Sequence, residues 1–387
     1  MIFKTEDFRD VCSSILYAID SSALATITDT LELVTRGRSL YLNVTNQEYY
    51  VSYKFNLDHE EEFHATVNAT LFLKLIDKIT TEFVELQLQE RNILVKANGN
   101  YKIPFVTEEE TGNLLTVPEI VINNVTKEFP IGYNILSSIM DYNGKDLTNS
   151  SLAKEIYTLY YIDQEGCLTH TKSSACITSF TLPQPVSFLL NNRIVKLFKL
   201  FKNNPTVQFK IGYDAISDTV IQTKVAFITD NISLTAIIRS DDTLLSQVPY
   251  QAIRARGNMN YPNKVILNTH EFADAISRLL LFNDSKLNAK PYSTFNFGID
   301  GNLTIYDSKD DNFEVIRFQP GSELSGPYSM RVDLTDFKKV LDTVSEATIT
   351  LSCGDNRGGV ISRPSVKNIF AQVSRASSNT EPRPQAE

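Results

Sequence analysis

Four basic side chains recur at every third position of one short segment: Arg193, Lys196, Lys199 and Lys202, with no acidic residue among residues 193–202. Lys and Arg bind phosphate groups through charge-assisted hydrogen bonds. Such contacts to a nucleic-acid backbone are independent of base sequence and sensitive to salt. A segment with this spacing of cations could therefore bind a polyanion. The simpler alternative is an ordinary solvated helix face.

The whole chain is acidic, which makes this segment unusual. It has 387 residues with 37 Lys and Arg against 46 Asp and Glu, a net charge of −9. The hydrophobic fraction of 42% and the charged fraction of 21% are typical of a soluble globular protein of two or three domains. Acidic runs at 58–62 and 108–110 occupy predicted loops. Because net positive charge is confined to one segment, we expect helices to face the polyanion while loops face away.

Catalytic and metal-binding patterns are missing from the sequence. The histidines have no metal-ligand spacing and the cysteines no CxxC pair; they are His59, His64, His170 and His270, and Cys12, Cys167, Cys176 and Cys353. No GxGxxG, GxxxxGK[ST] or GxSxG motif is present, and the segment 354–359 is interpreted as a hairpin turn. The prediction is a protein that is not an enzyme, binds no metal or cofactor, and keeps its thiols reduced in the cytoplasm.

Export and membrane insertion are not expected. Residues 1–7 lack a basic region followed by an apolar one. No apolar run approaches the roughly 18 residues that a spanning helix needs.

The elements that position these residues form three similar copies. Apolar residues at helical spacing predict helices at Asp7–Ile19, Asn68–Thr80, Gly132–Tyr142, Asn191–Lys202, Thr269–Phe282 and Leu334–Ser345. Asn68 and Asn191 are predicted N-caps, with Thr335 or Asp336 in the third copy. Alternating segments between the helices, such as 40–44, predict strands. The fold class is α+β, with two helices packed on antiparallel sheets in each copy.

The copies predict three tandem domains, 1–122, 123–256 and 257–376, followed by a disordered tail at 377–387. Helical and strand patterns lapse between the second and third domains, near 254–263. The first and third copies repeat the basic helix face more weakly, with Lys74 and Lys78, and with Lys338 and Lys339. Neighbouring aspartates dilute the charge of both pairs.

This layout resembles the bacterial DNA polymerase III β subunit, the β sliding clamp of the DNA clamp superfamily, over about residues 1–376. The resemblance lies in Met1-Ile2-Phe3-Lys4 followed by a helix, in Phe63–Val106 and in Pro327–Arg375. It implies a processivity factor that encircles double-stranded DNA without sequence preference. Two chains would close head to tail into a homodimeric ring, with the helices lining the hole. The implied partners are a replicative DNA polymerase and a clamp-loader ATPase, and the implied location is the cytoplasm, at the nucleoid during replication.

The resemblance also implies two further sites. Ile103 and Phe105 of one chain would pack against Leu281 and Phe282 of the other, although these four could equally be ordinary core residues. Partner peptides would bind an apolar cleft formed by Ser173, Ala175, Cys176, Ile177, Pro249, Val373 and Arg375. The cleft departs from the family pattern, since Ser173–Thr178 replaces a Thr-Asp-Gly-His-Arg-like segment and residues 372–376 replace a Met-Pro-Met-Arg-Leu-like end. We therefore hypothesise a clamp of a phage or mobile element with altered partner specificity.

Three alternatives stay open from the sequence. The first is a non-catalytic, β-rich structural or assembly protein with a clamp-like fold, which predicts neither a basic inner face nor retention on circular DNA. The second is a trimeric ring, which the three copies per chain disfavour because two chains already complete six domains. The third is an enzyme with an unrecognised site.

Overall fold

The computed structural model describes residues 1–19, 25–145, 154–217, 220–238, 242–282, 292–354 and 358–371. The predicted disordered tail at 377–387 lies outside this range. The chain divides into two units, each built from two separate stretches of sequence. Unit 1 contains Met1–Met140 and Leu182–Leu245, and unit 2 contains Asp141–Thr181 and Ser246–Glu387.

Short helices follow the predicted pattern and add two that the sequence pattern missed. The α-helices of the described residues are α1 (Thr5–Ile15), α2 (Ala69–Lys78), α3 (Tyr133–Tyr142), α4 (Asn192–Lys196), α5 (Asp242–Ser246), α6 (Tyr250–Gly257), α7 (Thr269–Leu280) and α8 (Leu334–Leu341). Turns of 3-10 helix lie at Leu16–Ala18, Thr26–Asp29, Asn143–Lys145, Glu155–Thr158 and Leu197–Phe201. Helix α6 extends to Gly257, so helical structure reaches into the first part of the 254–263 stretch, where helical and strand patterns were both expected to lapse.

Asparagine and aspartate side chains begin the helices that carry the candidate sites. Asn68 accepts a hydrogen bond from the Leu71 amide, and Asn191 accepts one from Ile194, as predicted. In the third copy the cap is Asp333, whose carboxylate accepts from the amide of Thr335. The prediction of Thr335 or Asp336 was therefore wrong: the helix begins at Leu334, so the capping position is Asp333.

All the sheets for which register is described are antiparallel. The strands are β1 (Ile2–Lys4), β2 (Thr30–Thr35), β3 (Ser39–Thr45), β4 (Tyr49–Asn56), β5 (His64–Asn68), β6 (Phe83–Leu88), β7 (Asn92–Lys96), β8 (Asn100–Pro104), β9 (Asn124–Gly132), β10 (Leu159–Asp163), β11 (Gly166–His170), β12 (Ser174–Ser179), β13 (Ser187–Asn191), β14 (Thr206–Ser217), β15 (Val220–Ile228), β16 (Ile232–Ile238), β17 (Asn263–Asn268), β18 (Tyr292–Phe297), β19 (Asn302–Tyr306), β20 (Phe313–Arg317), β21 (Tyr328–Asp333), β22 (Thr348–Cys353), β23 (Gly359–Ser362) and β24 (Val366–Phe370). The alternating segments of the sequence thus form the predicted strands.

Unit 1 contains a four-stranded sheet, β1-β6-β7-β8, and an eight-stranded sheet, β5-β2-β3-β4-β16-β15-β14-β9. Helices α1 and α2 pack side by side through the rings of Phe8 and Phe72, whose centroids lie 6.3 Å apart. Phe8 also stacks on Phe3 of β1 at 4.5 Å. These rings are almost fully buried, so burial of apolar area anchors the helix pair on its sheet.

Unit 2 repeats the arrangement. Its four-stranded sheet has the order β20-β19-β18-β21, and a larger sheet contains β10-β11-β12-β24-β23-β22-β17 in consecutive order. Helices α7 and α8 meet through Phe272 and Phe337, with ring centroids 6.0 Å apart. Phe337 stacks on Phe370 of β24 at 3.8 Å, which joins the helix pair to the larger sheet.

The larger sheet of each unit combines strands from neighbouring predicted domains. Pairing of β4 with β16 joins strands of the first and second domains, and pairing of β12 with β24 joins strands of the second and third. Each pairing covers strand edges that would otherwise be exposed. The two units therefore do not follow the predicted domain boundaries, and the three-domain division stays a prediction.

Candidate functional site

The predicted basic face is exposed, and part of it lies on a 3-10 helix, which lines up side chains three positions apart. Arg193, Lys196, Lys199 and Lys202, here called the basic row, are all exposed. Helix α4 ends at Lys196 and continues as 3-10 helix over Leu197–Phe201. A 3-10 helix has three residues per turn, so side chains three positions apart eclipse one another. The spacing therefore aligns the second half of the row along the segment, where an α-helix would fan the charges out.

A buried apolar face holds the basic row in place. Ile194, Leu197, Phe198 and Phe201 are at most 1% exposed, as the helical pattern predicted. Phe198 packs edge to face on Phe227 of β15, with centroids 4.9 Å apart. On the outer side the Lys199 ammonium lies 5.6 Å from the centroid of the exposed Tyr17 ring, a cation–π contact that positions it beside the end of α1.

The weaker basic residues of the other two copies have acidic partners. Lys74 is exposed on α2, while Lys78 pairs with Asp77 at 2.8 Å. On α8, Lys338 pairs with Asp342, and Lys339 lies 3.7 Å from Asp336. These ion pairs already compensate much of the positive charge, so the basic row remains the strongest candidate for phosphate contacts.

Acidic residues border one end of the basic row. A cavity of about 440 Å³ in unit 1 is lined by Lys202 together with Asp7 and Asp10 of α1. Acidic residues in the first turn of α1 complement the helix dipole. The same carboxylates repel phosphate, so this end of the row is the less favourable for a polyanion.

A cavity of about 190 Å³ lies in unit 2 at the place where the cleft was expected. Ser173 and Ala175 of the β11–β12 region and Pro249 are among its lining residues. Cys176 and Ile177 do not line the cavity; both are buried within the unit. Ile177 instead packs at the end of α6, where its Cδ1 would lie 3.1 Å from any side chain placed on Gly257. Val373 and Arg375 lie outside the described residues.

Several cleft residues were not predicted from the sequence. The remaining lining residues are His170, Thr171, Lys172, Ser174, Ile253, Arg256, Ile369 and Ala371. Two of them come from α6, and another two from β24 and the residue after it. Helix α6 is anchored by Arg254, whose guanidinium donates to Asp163 at 2.6 Å. The hydrophobic spacing of 250–257 is weak, and this is why the pattern search missed the helix; Arg254 and Arg256 near its end were the available signal.

Two residues that line the cleft have a buried nitrogen without a hydrogen-bond partner among the described residues: Nε2 of His170 and Nε of Arg256. His170 is 5% exposed, its ring lies edge-on to Tyr157 with centroids 5.2 Å apart, and its Nδ1 is 3.4 Å from the carbonyl oxygen of Thr171. Burial lowers the pKa of His170 below its ordinary value. Ser173 donates from its hydroxyl to Asp336 at 2.8 Å, which fixes the rim of the cleft to α8.

Among the described residues, the small sheets end at β1 and β8 in unit 1 and at β20 and β21 in unit 2. The helix-end residues Leu281 and Phe282 are 82% and 54% exposed. Ile103 of β8 is only 2% exposed and belongs to its own core, while Phe105 bridges to Val67 just beyond the strand. The structure thus places two of the four predicted interface residues on the surface.

No three His, Cys, Asp or Glu side chains in the part of the chain that the structure describes are placed to hold a metal ion. The four cysteines are buried and form no disulfide among the described residues. Burial raises the pKa of the Cys353 thiol to about 12, and it raises the pKa values of Cys12 and Cys167 well above the ordinary value. Buried thiols of this kind are inert as nucleophiles. Within the described helices, none combines the length and apolar character that a membrane-spanning helix requires.

Solved structures of one class of protein match this chain over almost its full length. No protein-family model and no curated sequence matches it. The DNA polymerase III β subunit from Thermotoga maritima superposes with a TM-score of 0.79 at 13% identity, covering 97% of this chain and 99% of that one. The corresponding subunit from Pseudomonas aeruginosa gives 0.80 at 13% identity, covering 97% and 100%. The Helicobacter pylori β clamp, bound to a DNA ligase peptide, gives 0.72 at 14% identity, covering 97% and 99%.

The fold is therefore that of the sliding clamps. More narrowly, it is the fold of the bacterial DNA polymerase III β subunit, as the resemblance in sequence layout implied. At 12–14% identity the likeness establishes the fold, and the activity has to be argued from the sites.

Proposed function

We propose that this protein is a DNA sliding clamp, a non-catalytic processivity factor that encircles duplex DNA and tethers a replicative polymerase. The observation that carries the proposal is the exposed basic row on a chain of net charge −9 that has the clamp fold over 97% of its length. Such a protein needs weak, sequence-independent phosphate contacts on one surface, since strong contacts would prevent sliding.

Two chains would form the ring, each contributing three clamp domains at 1–122, 123–256 and 257–376. Open strand edges are supporting features, because β8 of one chain and β20 of the other are available to pair. Exposed Leu281 and Phe282 would then be covered by the partner, next to the β8 edge that contains Ile103 and continues to Phe105. Covering such apolar side chains is a source of association free energy.

The basic row would make the main contacts to duplex DNA. Four further lysines would contribute less binding free energy because three of them are ion-paired: Lys74, Lys78, Lys338 and Lys339. The contacts would be to phosphates and therefore independent of sequence. The acidic neighbours of the row, Asp7 and Asp10, would keep the affinity low.

Partner proteins would insert short peptides into the cleft of Ser173, Ala175 and Pro249, whose walls also include Ile253 and Ile369. One structural neighbour, the Helicobacter pylori clamp, is bound to a DNA ligase peptide. Cys176 and Ile177 would support the cleft from behind, and Val373 and Arg375 would complete it. We infer a clamp-loader ATPase as a further partner, action at the cytoplasmic nucleoid, and a phage or mobile-element origin that would account for the divergent cleft.

Negative-stain electron microscopy of the purified protein at micromolar concentration tests this function. A ring with a central hole and a pseudo-sixfold outline is the expected image. Retention on nicked circular DNA after loading, followed by release when the DNA is linearised, would establish topological binding. Compact particles without a hole, together with no retention on circular DNA, would favour the structural-protein alternative.

A further inference from the structure

An exposed aromatic ring lies beside the basic row in unit 1. Tyr17 belongs to the 3-10 turn that follows α1, and it is 60% exposed. The Lys199 ammonium lies 5.6 Å from the centroid of its ring. A single exposed tyrosine is ordinary on a protein surface. What distinguishes Tyr17 is that its ring and the cations of the row share one surface.

The 3-10 segment gives three cations of the row a regular spacing. Lys196, Lys199 and Lys202 follow one another at every third residue along Leu197–Phe201 and its two flanking residues. At the rise of a 3-10 helix, each step is about 6 Å along the segment. Consecutive phosphates of one extended DNA strand are separated by a similar distance. A single strand laid along the segment can therefore bring a phosphate close to each successive lysine.

The cavity of about 440 Å³ at the Lys202 end of the row suits a nucleobase better than a phosphate. Its carboxylates, Asp7 and Asp10, repel phosphate but can accept hydrogen bonds from the amino groups of a neutral base. Carboxamides, which both donate and accept, also line it: Asn56, Asn203, Asn204 and Asn231. Ser14 of the cavity wall precedes Tyr17 by three residues, so the cavity and the ring are neighbours along α1.

Duplex DNA would use only part of this surface. Its bases are stacked and paired in the interior, and they reach a protein pocket only when they leave the stack. An unpaired strand exposes the faces and edges of its bases. Proteins that bind single-stranded DNA combine a cationic track for the backbone with aromatic side chains on which bases stack. The basic row and Tyr17 supply these two parts side by side.

We propose that this surface binds single-stranded DNA, with phosphates at Lys196 and Lys199 and an unpaired base stacked on the Tyr17 ring. The neighbouring base enters the cavity lined by Asp7 and Asp10. The inference rests on the proposed function, since it adds an unpaired strand to the duplex that would pass the basic row. It goes beyond that function by giving the protein a contact to bases as well as to phosphates.

Tyr17→Ala tests the stacking contact. Fluorescence anisotropy with the full chain measures the affinity for a labelled oligothymidylate, which has no base-paired structure, and for a labelled duplex of equal length at the same salt concentration. The substitution should weaken single-strand binding about fivefold or more, which corresponds to the lower end of the stacking free energy of one base on an aromatic ring. Duplex affinity should stay unchanged.

Two further variants control for other effects of the substitution. Tyr17→Phe keeps the aromatic face and should bind the oligothymidylate as the wild type does. Tyr213→Ala removes another exposed tyrosine of unit 1, on β14, and should leave both affinities unchanged. Because Tyr17 is 60% exposed, its variants should keep the melting temperature of the wild type within a few degrees.

Each outcome supports or overturns the inference. Equal loss of affinity for the single strand and the duplex in Tyr17→Ala overturns it, because the ring would then only position Lys199. Unchanged single-strand affinity in Tyr17→Ala, or an equal loss in Tyr17→Phe, also overturns it. If the protein forms rings and is retained on circular DNA but does not bind the oligothymidylate, the inference fails while the proposed function stands. Absence of both rings and retention refutes the proposed function itself.

Discussion

Neutralising the basic row should remove a defined part of the salt dependence of DNA binding. The variant carries Gln in place of Arg193, Lys196, Lys199 and Lys202. Every cation that contacts a phosphate contributes about 0.9 to the slope of log affinity against log salt concentration. If all four contact phosphates, the slope should therefore become shallower by up to about 3.6.

The alignment of the row in the structure supports simultaneous contact, because the 3-10 segment brings side chains three positions apart into register. All four side chains are exposed, so the substitutions should change the free energy of unfolding by no more than about 0.5 kcal/mol each. Replacing Lys199 also removes its contact with the Tyr17 ring. This contact is at an exposed position, so it contributes little to the free energy of unfolding.

The assay is fluorescence anisotropy of a labelled duplex oligonucleotide, measured over a series of salt concentrations. A control variant removes the same number of charges from loop and strand positions, by changing Arg38, Arg91, Lys264 and Lys309 to Gln; all four are exposed. Both variants become more acidic, so the general effect of net charge cancels in the comparison. An equal change of slope in the two variants, or no change in the row variant, would refute the assignment of the row as the DNA contact.

Three further predictions concern the ring, the pH dependence of stability and the core. Leu281→Asp should weaken dimerisation at least about tenfold in sedimentation equilibrium, because the leucine, 82% exposed in the single chain, would be covered by the partner chain in the dimer. Ile299→Asp is the control at a similarly exposed position and should leave dimerisation unchanged. Equal effects of the two substitutions would contradict the interface. A hydrogen bond from Arg278 lowers the pKa of Glu314 below 4.5, so the pair stabilises above that pH and the effect is lost as pH falls through the lowered pKa. The melting-temperature difference between wild type and Glu314→Gln should accordingly shrink in acid, and a difference independent of pH would count against the pairing. Phe337→Ala should cost about 3–5 kcal/mol in urea unfolding because the ring is fully buried; a cost below about 1 kcal/mol would show that the site collapses around the gap.

The basic row could be predicted from sequence because local pattern alone determines it. Apolar residues at 194, 197, 198 and 201 must turn inward, so the cations between them must turn outward, whether the segment is α or 3-10 helix. Asn68 and Asn191 were found as N-caps for a similar reason, since a cap depends on the residues that directly follow it.

The cleft could be predicted only in part. Ser173, Ala175 and Pro249 line it, but the residues with the orphan nitrogens, His170 and Arg256, did not stand out. Their place at the cleft depends on α6 lying against β12 and β24, and those elements are far apart in sequence. Cys176 and Ile177 lie further along β12 and do not line the cavity.

Taken alone, the sequence determined the local elements: where helices and strands begin, which side chains are buried, and the repeated order that indicates the clamp fold. These follow from short-range periodicity, since a helix or strand can bury an apolar face in only one orientation. Tertiary structure alone decided which strands pair, as with β4 and β16, and which distant side chains share a cavity. Strand edges carry the same backbone groups whatever their sequence, so the choice of partner is made by the packing of the whole unit.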